Sequence, residues 1–223
     1  MDRAKIIVRA AVQEDAPMVA KTVAMAIGDQ KALCNYCGDD YLVTLTELAR
    51  NTATQYSYNY ALIAEVDGVV AGAIVGYDGA LLGALREGTF GVLRRTIGRI
   101  PTIADETEAG EYYLDSIAVL PEFRGQGVAR ELITAFCNKA FAEGHKRVGL
   151  IVDFNNPVPK DSIHHSDLSV LVREYSLIIR CGTCNLRRYI NKKVSEILRL
   201  FYCDLSCFGL ECKFCTDKYC ARQ

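Results

Sequence analysis

Apolar positions along the first two thirds of the chain follow two periods in turn, that of a strand and that of a helix. Lys5-Ile-Ile-Val-Arg-Ala10 is short and β-branched and reads as an opening strand. The acidic residues and proline of Val12-Gln-Glu-Asp-Ala-Pro17 mark a helix start, and Val19, Val23 and Ile27 then recur at helical spacing. A second helix is expected from Asp39 to Arg50, where Leu42, Leu45 and Leu48 form a stripe. Tyr60 to Val66 and Val69 to Tyr77 are apolar runs joined by Asp67-Gly68, a pair that accepts the positive φ of a tight turn, so they predict an antiparallel hairpin. Residues 79–108 lack a clean period and read as an inserted helix-and-loop segment. Tyr112 to Leu120 predicts a strand, Val128, Leu132, Ile133, Phe136 and Ala140 fall on one helical face, and Lys146 to Val152 resumes as a strand. No internal repeat is present.

Composition adds a boundary. Residues 1–160 hold 23 Ala, 15 Gly and 16 Lys and Arg against 20 Asp and Glu, whereas 161–223 hold one Ala, two Gly and 10 basic against 7 acidic residues. Seven of the ten cysteines follow residue 180. A single break near Lys160 accounts for all three shifts, dividing the chain into a domain at 1–160 and an atypical Cys-rich tail at 161–223 that does not read as a native domain. The formal net charge of -1 leaves no overall basic field for nucleic acid or an anionic membrane, so neither partner is expected. Without a secretory leader pattern or a membrane-length apolar run, the expected location is the cytoplasm, where thiols stay reduced.

The chemistry is concentrated in Leu120-Pro-Glu-Phe-Arg-Gly-Gln-Gly-Val-Ala129, set between a strand and an amphipathic helix. Glycines let the backbone approach a ligand, and amides at the helix start point outward with the positive end of the macrodipole behind them, an arrangement suited to a pyrophosphate. A tight turn without a ligand is the plain alternative. Arg124-Gly-Gln-Gly127-Val-Ala129 fits every fixed position of Q/R-x-x-G-x-G/A, the motif of the GNAT acetyltransferases, and Ile117-Ala-Val-Leu-Pro-Glu-Phe-Arg matches the approach to it. Residues 5–160 therefore resemble that family. The resemblance implies an α/β fold with a mixed sheet, the acyl-coenzyme A N-acyltransferase fold, and direct transfer of acetyl from acetyl-coenzyme A to a primary amine on a small molecule or a protein. It also implies that backbone groups of Ile117, Ala118 and Val119 meet the pantetheine arm. In the same way the amides of Arg124, Gly125, Gln126, Gly127, Val128 and Ala129 hold the pyrophosphate, and Asn156 bonds the cofactor arm. Asp115, two residues before Ile117, and Asp153, ending the next strand, are the candidate bases, with a solvated or structural carboxylate as the alternative for each. Tyr112 and Tyr113 are candidates for the acceptor pocket or for core packing. Arg86, Arg94, Arg95 and Arg99 form a basic run that could meet a cofactor phosphate or an acidic acceptor, with a solvated helix face as the plainer reading. The sequence leaves the oligomeric state open, a homodimer included.

Beyond Asn156 the resemblance fails. The family places a tyrosine, its general acid, seven residues after that Asn, where this chain has Ile163, so the C-terminal helix and strands read as missing or replaced. Read one base earlier, the codons for Lys160 through Leu168 permit Arg-Phe-Tyr-Ser-Ser-Leu-Gly-Phe, which restores the tyrosine at that spacing. The tail then reads as a frameshifted translation, and the alternative to an active transferase is an impaired product that at most binds acetyl-coenzyme A. The rival reading is an acyl-coenzyme A sensor with a zinc module on Cys181, Cys184, Cys212 and Cys215, but the pairs stand too far apart for a ribbon, and no metal ligand is assigned. Cys34-Asn-Tyr-Cys37 reads as reduced, partly buried thiols between two helices. Sequencing the locus around Lys160 tests the frame hypothesis: a run of adenines lacking one base is expected there, and a shifted frame that meets an immediate stop or has no Tyr codon refutes it.

Overall fold

Parallel pairing of two central strands, in a sheet otherwise antiparallel, organises the molecule. The computed structural model describes residues 4–151 and the backbone of residues 176–180. The strands are β1 (Ile6–Ala10), β2 (Ala61–Val66), β3 (Val69–Asp78), β4 (Tyr112–Val119), β5 (Arg147–Ile151) and β6 (Ser176–Arg180), hydrogen-bonded in that order. Only β4 and β5 run parallel among them. Asp67 and Gly68, at φ 50° and 83°, close the β2–β3 hairpin as the Asp-Gly pair predicts.

The parallel pair requires a crossover, and α5 (Val128–Ala142) supplies it. Its Val128, Leu132, Ile133, Phe136 and Ala140 are buried on one sheet face against Leu62, Ile74, Leu114, Ile117, Val148 and Leu150. Each fully buried side chain of this size contributes about 1.5–3 kcal/mol. The other face is covered by α1 (Ala16–Ile27), α3 (Tyr41–Arg50) and α4 (Leu82–Ile97). There Val19, Val23, Leu45, Leu48, Val92 and Leu93 pack on Ile63, Ala73 and Val75.

Three expectations change. The α3 stripe runs through Thr44, Leu45, Leu48 and Ala49, and Leu42 is 48% exposed, because two steps of three residues rotate about 120° away from Leu48. A further helix, α2 (Gln30–Cys37), lies where the sequence was read as a connection. It is short and mostly polar, and it is held by the Asp29 side chain accepting from the Ala32 N–H at 2.7 Å and by Arg99 donating to the carbonyls of Cys34 and Asn35. Cys34 and Cys37 are therefore helical; both are free thiols, and burial pushes Cys37 up to about 12. Lastly, in the tail that did not read as a native domain, Ser176–Arg180 forms a strand that pairs antiparallel with β5 from Arg147↔Arg180 to Ile151↔Ser176. An open sheet edge exposes unpaired amides and carbonyls, and these five residues cover that edge of β5. The two C-x-x-C pairs of the tail and its proposed frame change lie outside the described residues.

Gly76 of β3 leaves no room for a side chain, since a Cβ there would collide with the Tyr113 carbonyl oxygen and the Phe136 ring. Gly76→Ala is expected to cost about 1–3 kcal/mol in thermal or chemical unfolding, and Gly76→Val to abolish soluble expression. An unchanged melting temperature for the alanine variant would show that α5 does not press on the sheet there.

Candidate functional site

β4 pairs with β5 only at Tyr112↔Val148, Tyr113↔Gly149 and Leu114↔Leu150. Among the described residues no strand pairs with that edge of β4 from Asp115 to Val119, so a stretch of backbone donors and acceptors has no strand partner there. On its other edge β4 continues with β3, where Val75 lies opposite Ser116 and Gly76 opposite Leu114. Asp115 is thus the additional residue of a β-bulge. Its effect is visible in the packing: Leu114, Ile117 and Val119 all reach the α5 side although the first two are three residues apart. Strict alternation would have put Leu114 and Ile117 on opposite faces.

Past β4 the Leu120 N–H donates to the Ala71 carbonyl at 2.8 Å, and a 3₁₀ turn at Pro121–Phe123 leads into the glycine turn. Gly125 and Gly127 adopt φ 76° and 89°, left-handed values that glycine takes without penalty. Arg124, Gly125 and Gln126 are exposed, so the turn faces solvent. Gly127 is the N-cap of α5 and has no side chain to occupy the first amides of the helix. The Arg124 N–H is engaged by the Pro121 carbonyl at 3.2 Å, and its Nε donates to the Val119 carbonyl at 3.2 Å, tying the turn to the end of β4. Close beside Gly127 stands the Arg130 guanidinium, 3.3 Å from where a Cβ would lie. Amides, a helix N-terminus and a guanidinium together suit a phosphate group.

On the opposite side of β4 a second group of polar residues assembles. Asp115 is partly exposed, and its Oδ1 accepts from the Ser116 hydroxyl at 2.7 Å. Burial pushes its carboxyl up to about 7; Glu106 nearby raises it further, while the Ser116 hydroxyl and Arg86 oppose the rise. Glu106 is raised too, chiefly by burial, against Arg86 and together with Asp105. Both carboxylates act on the phenols of Tyr36, Tyr56, Tyr77 and Tyr113, all held neutral far above neutrality, in each case chiefly by burial. Tyr56 donates to the Tyr36 oxygen at 3.1 Å, and Gln55 Nε2 donates to the Tyr77 oxygen at 3.0 Å. The Arg86 guanidinium, only 8% exposed, donates to the Asp105 carboxylate and, at 3.0 Å, to the Ala104 carbonyl. Its Nε and the Gln55 Oε1 are buried without a hydrogen-bond partner among the described residues.

The sequence-derived candidates thus separate. Ile117, Ala118 and Val119 line the free edge of β4, and Gly125, Gln126, Gly127, Val128 and Ala129 form the turn and helix start. Asp115 sits at the bulge between them and the tyrosines. Tyr113 belongs to the cluster with Tyr77, whereas Tyr112 packs in the α5 core and accepts a hydrogen bond from Lys139 at 2.6 Å. Asp153 and Asn156 lie outside the described residues. Arg86 corrects the reading of a solvated basic face, because its side chain is buried and holds the 104–105 backbone. Glu106, Arg130, Gln55, Tyr36 and Tyr56 were not singled out in the sequence; for Arg130, its place one turn into the helix after the glycines was the available signal. No group of three or more His, Cys, Asp or Glu among the described residues could hold a metal ion, and no helix among them is long and apolar enough to cross a membrane.

Known proteins resemble this chain. The chain is similar to a crystal structure of an acetyltransferase, 26% identical with a TM-score of 0.62, covering 79% of this chain and 100% of that one. It is also similar to an N-acetyltransferase from Staphylococcus aureus Mu50, 25% identical with a TM-score of 0.54, covering 67% of this chain and 83% of that one. No curated protein sequence matches. A family model, that of the acetyltransferase (GNAT) family, matches residues 31–158, a span that holds the bulged strand, the glycine turn and α5. With more than half of its length matched, the chain belongs to the acetyltransferase (GNAT) family.

Proposed function

We propose that the chain transfers an acetyl group from acetyl-coenzyme A to an amine, with the pyrophosphate on the turn at 125–129 and Asp115 as the general base. The observation that carries this reading is continuity: the edge of β4 from Asp115 to Val119, unpaired among the described residues, runs directly into an exposed turn of left-handed glycines at a helix start. A thioester carrier needs both, an extended edge for its amide-bearing arm and unoccupied amides for its phosphates. Arg130 adds a cation at the phosphate end, and the missing Cβ of Gly127 leaves room for it.

Acetyl-coenzyme A supplies the acetyl group as a thioester, which the neutral amine attacks; the C–N bond forms, the C–S bond breaks and the electron pair leaves on sulfur. This chain's residues deliver the neutral amine. An ammonium gives its proton to an Asp115 oxygen, which a carboxylate pushed to about 7 accepts far better than an ordinary one does. As the C–S bond breaks the attacking nitrogen gives up its second proton to solvent, and the departing thiolate, near the usual thiol value of about 8.5, takes a proton from solvent.

Three outcomes are expected. Calorimetry should detect acetyl-coenzyme A binding, and Gly127→Ala should weaken it about tenfold, since a left-handed non-glycine residue costs about 1–2 kcal/mol; binding unchanged in that variant refutes the placement of the pyrophosphate. In a pH profile kcat/KM should rise through a midpoint near 7 as Asp115 loses its proton, and Asp115→Asn should lower it by about 100-fold or more at neutral pH. Asp115 should also cost stability. Its folded value lies above its unfolded one, so the native state keeps a proton that the unfolded chain releases, and stability falls as pH rises from about 4 to 7. The melting temperature of Asp115→Asn relative to the parent should therefore be higher at pH 8 than at pH 5, and the opposite order would show that the carboxyl is not shifted upward.

A further inference from the structure

A carboxylate that accepts a proton during the reaction needs a fixed orientation, and the bulge in β4 gives Asp115 a neighbour that can fix it. In a regular strand successive side chains point to opposite faces and do not meet. Here Leu114 and Ile117 both reach the α5 side, which leaves Asp115 and Ser116 together on the other face of β4, a strand against which α1 packs. Ser116 is buried at 4% exposure, while Asp115 beside it is half-buried. The Ser116 hydroxyl donates to Asp115 Oδ1 at 2.7 Å, and among the described residues no donor bonds Oδ2. Resting on the transferase reading above, we propose that Ser116 is a positioning residue for the base: it pins Oδ1 and leaves Oδ2 as the oxygen that takes the proton of the acceptor ammonium.

The hydrogen bond is selective for one state of the acid. A hydroxyl bonded to a carboxylate forms a charge-assisted bond, about twice as strong as one between neutral groups, so it is firmest while Asp115 is ionised and able to accept. Burial keeps water from serving Ser116 instead, and a buried hydroxyl without a partner is costly. Each side chain therefore holds the other. The effect on protonation has one sign, because a donor favours the charged form: Ser116 works against the burial and the Glu106 charge that push Asp115 up to about 7. Arg86 of α4 opposes the rise as well, and Tyr36 of α2, Tyr56, Tyr77 of β3 and Tyr113 of β4 stay neutral around the carboxyl. All of these remain in a variant of Ser116, so the contribution of the serine can be read separately. Without the extra residue at the bulge, Asp115 and Ser116 would face opposite ways and the bond would be lost.

Full-length protein with aspartate labelled at its carboxyl carbon is titrated by NMR, Asp115→Asn identifying the Asp115 signal. The parent midpoint is expected near 7. Ser116→Ala is expected to raise it by about one pH unit, Ser116→Thr to bring it back, and Ser116→Cys, a weaker donor, to fall between. With butylamine as the acceptor probe, the midpoint of kcat/KM should rise in the same order, and the plateau at high pH should be about tenfold lower in Ser116→Ala with the KM for acetyl-coenzyme A unchanged. A midpoint that stays or falls in Ser116→Ala, or one raised as far in Ser116→Thr as in Ser116→Ala, overturns the inference and leaves Asp115 as the base. A parent Asp115 that titrates near the usual value of about 3.9 overturns the base assignment and this inference together. Should Ser116→Ala not fold, Ser116→Cys decides, and if butylamine is not acetylated the NMR titration decides.

Discussion

The structure depends on one departure: among the described residues β4 pairs with β5 only as far as Leu114, while it stays paired with β3 to Val119. A strand can do this only if one neighbour holds it, and the bulge at Asp115 lets it turn without losing that neighbour. The same residue count that bends the strand also changes which faces its side chains reach. Leu114 and Ile117 both stay in the α5 core, and the two residues between them, Asp115 and Ser116, are the ones displaced from regular alternation. A carboxylate is thus placed where the backbone opens, without the core giving up an apolar contact.

The two ends of β4 carry opposite electrostatics. Toward α5 the groups are donors: the first amides of the helix, the Arg130 guanidinium and the positive end of the helix dipole. Around the bulge they are acceptors, with Asp115 and Glu106 raised and Arg86 committed to Asp105. An anion at one end and a cation at the other can be held along a single strand without meeting. The elevated carboxyls also show that this region is kept at a cost, since the folded protein would be more stable with fewer of them.

Some of this was legible in the sequence because it is written in backbone requirements. Gly125 and Gly127 need left-handed φ, Asp67-Gly68 needs a tight turn, and the apolar face of α5 repeats with the helical period, so each leaves a local mark. The bulge leaves none: Tyr112 to Val119 is apolar at nearly every position, and a phase change cannot be seen in a run that is apolar on both faces. Glu106 was hidden for another reason. It lies in a segment without periodicity, and the residues just before it are held by Arg86, a contact across the fold between residues that looked like a charged surface and a loop. Helix α2 was missed because its buried positions, Leu33 and Cys37, are only two, and its stability comes from Asp29 and from Arg99, 65 residues away from Cys34.

The edge of β5 shows how far a local pattern can speak for a fold. Composition changes near Lys160, yet Ser176–Arg180 beyond it extends the sheet by five paired residues. The two observations are compatible, because an exposed strand edge selects for very little: an apolar, β-branched run such as Ser-Leu-Ile-Ile-Arg meets its hydrogen-bonding needs whatever its origin. Pairing with β5 is therefore no evidence that the tail evolved for this place. The residues of the glycine turn and the bulge lie away from that edge, since the β4 segment that carries them is held by β3 and α5 and, among the described residues, is not paired with β5. The chemistry of the domain is separable, on these contacts, from whatever closes the far side of its sheet.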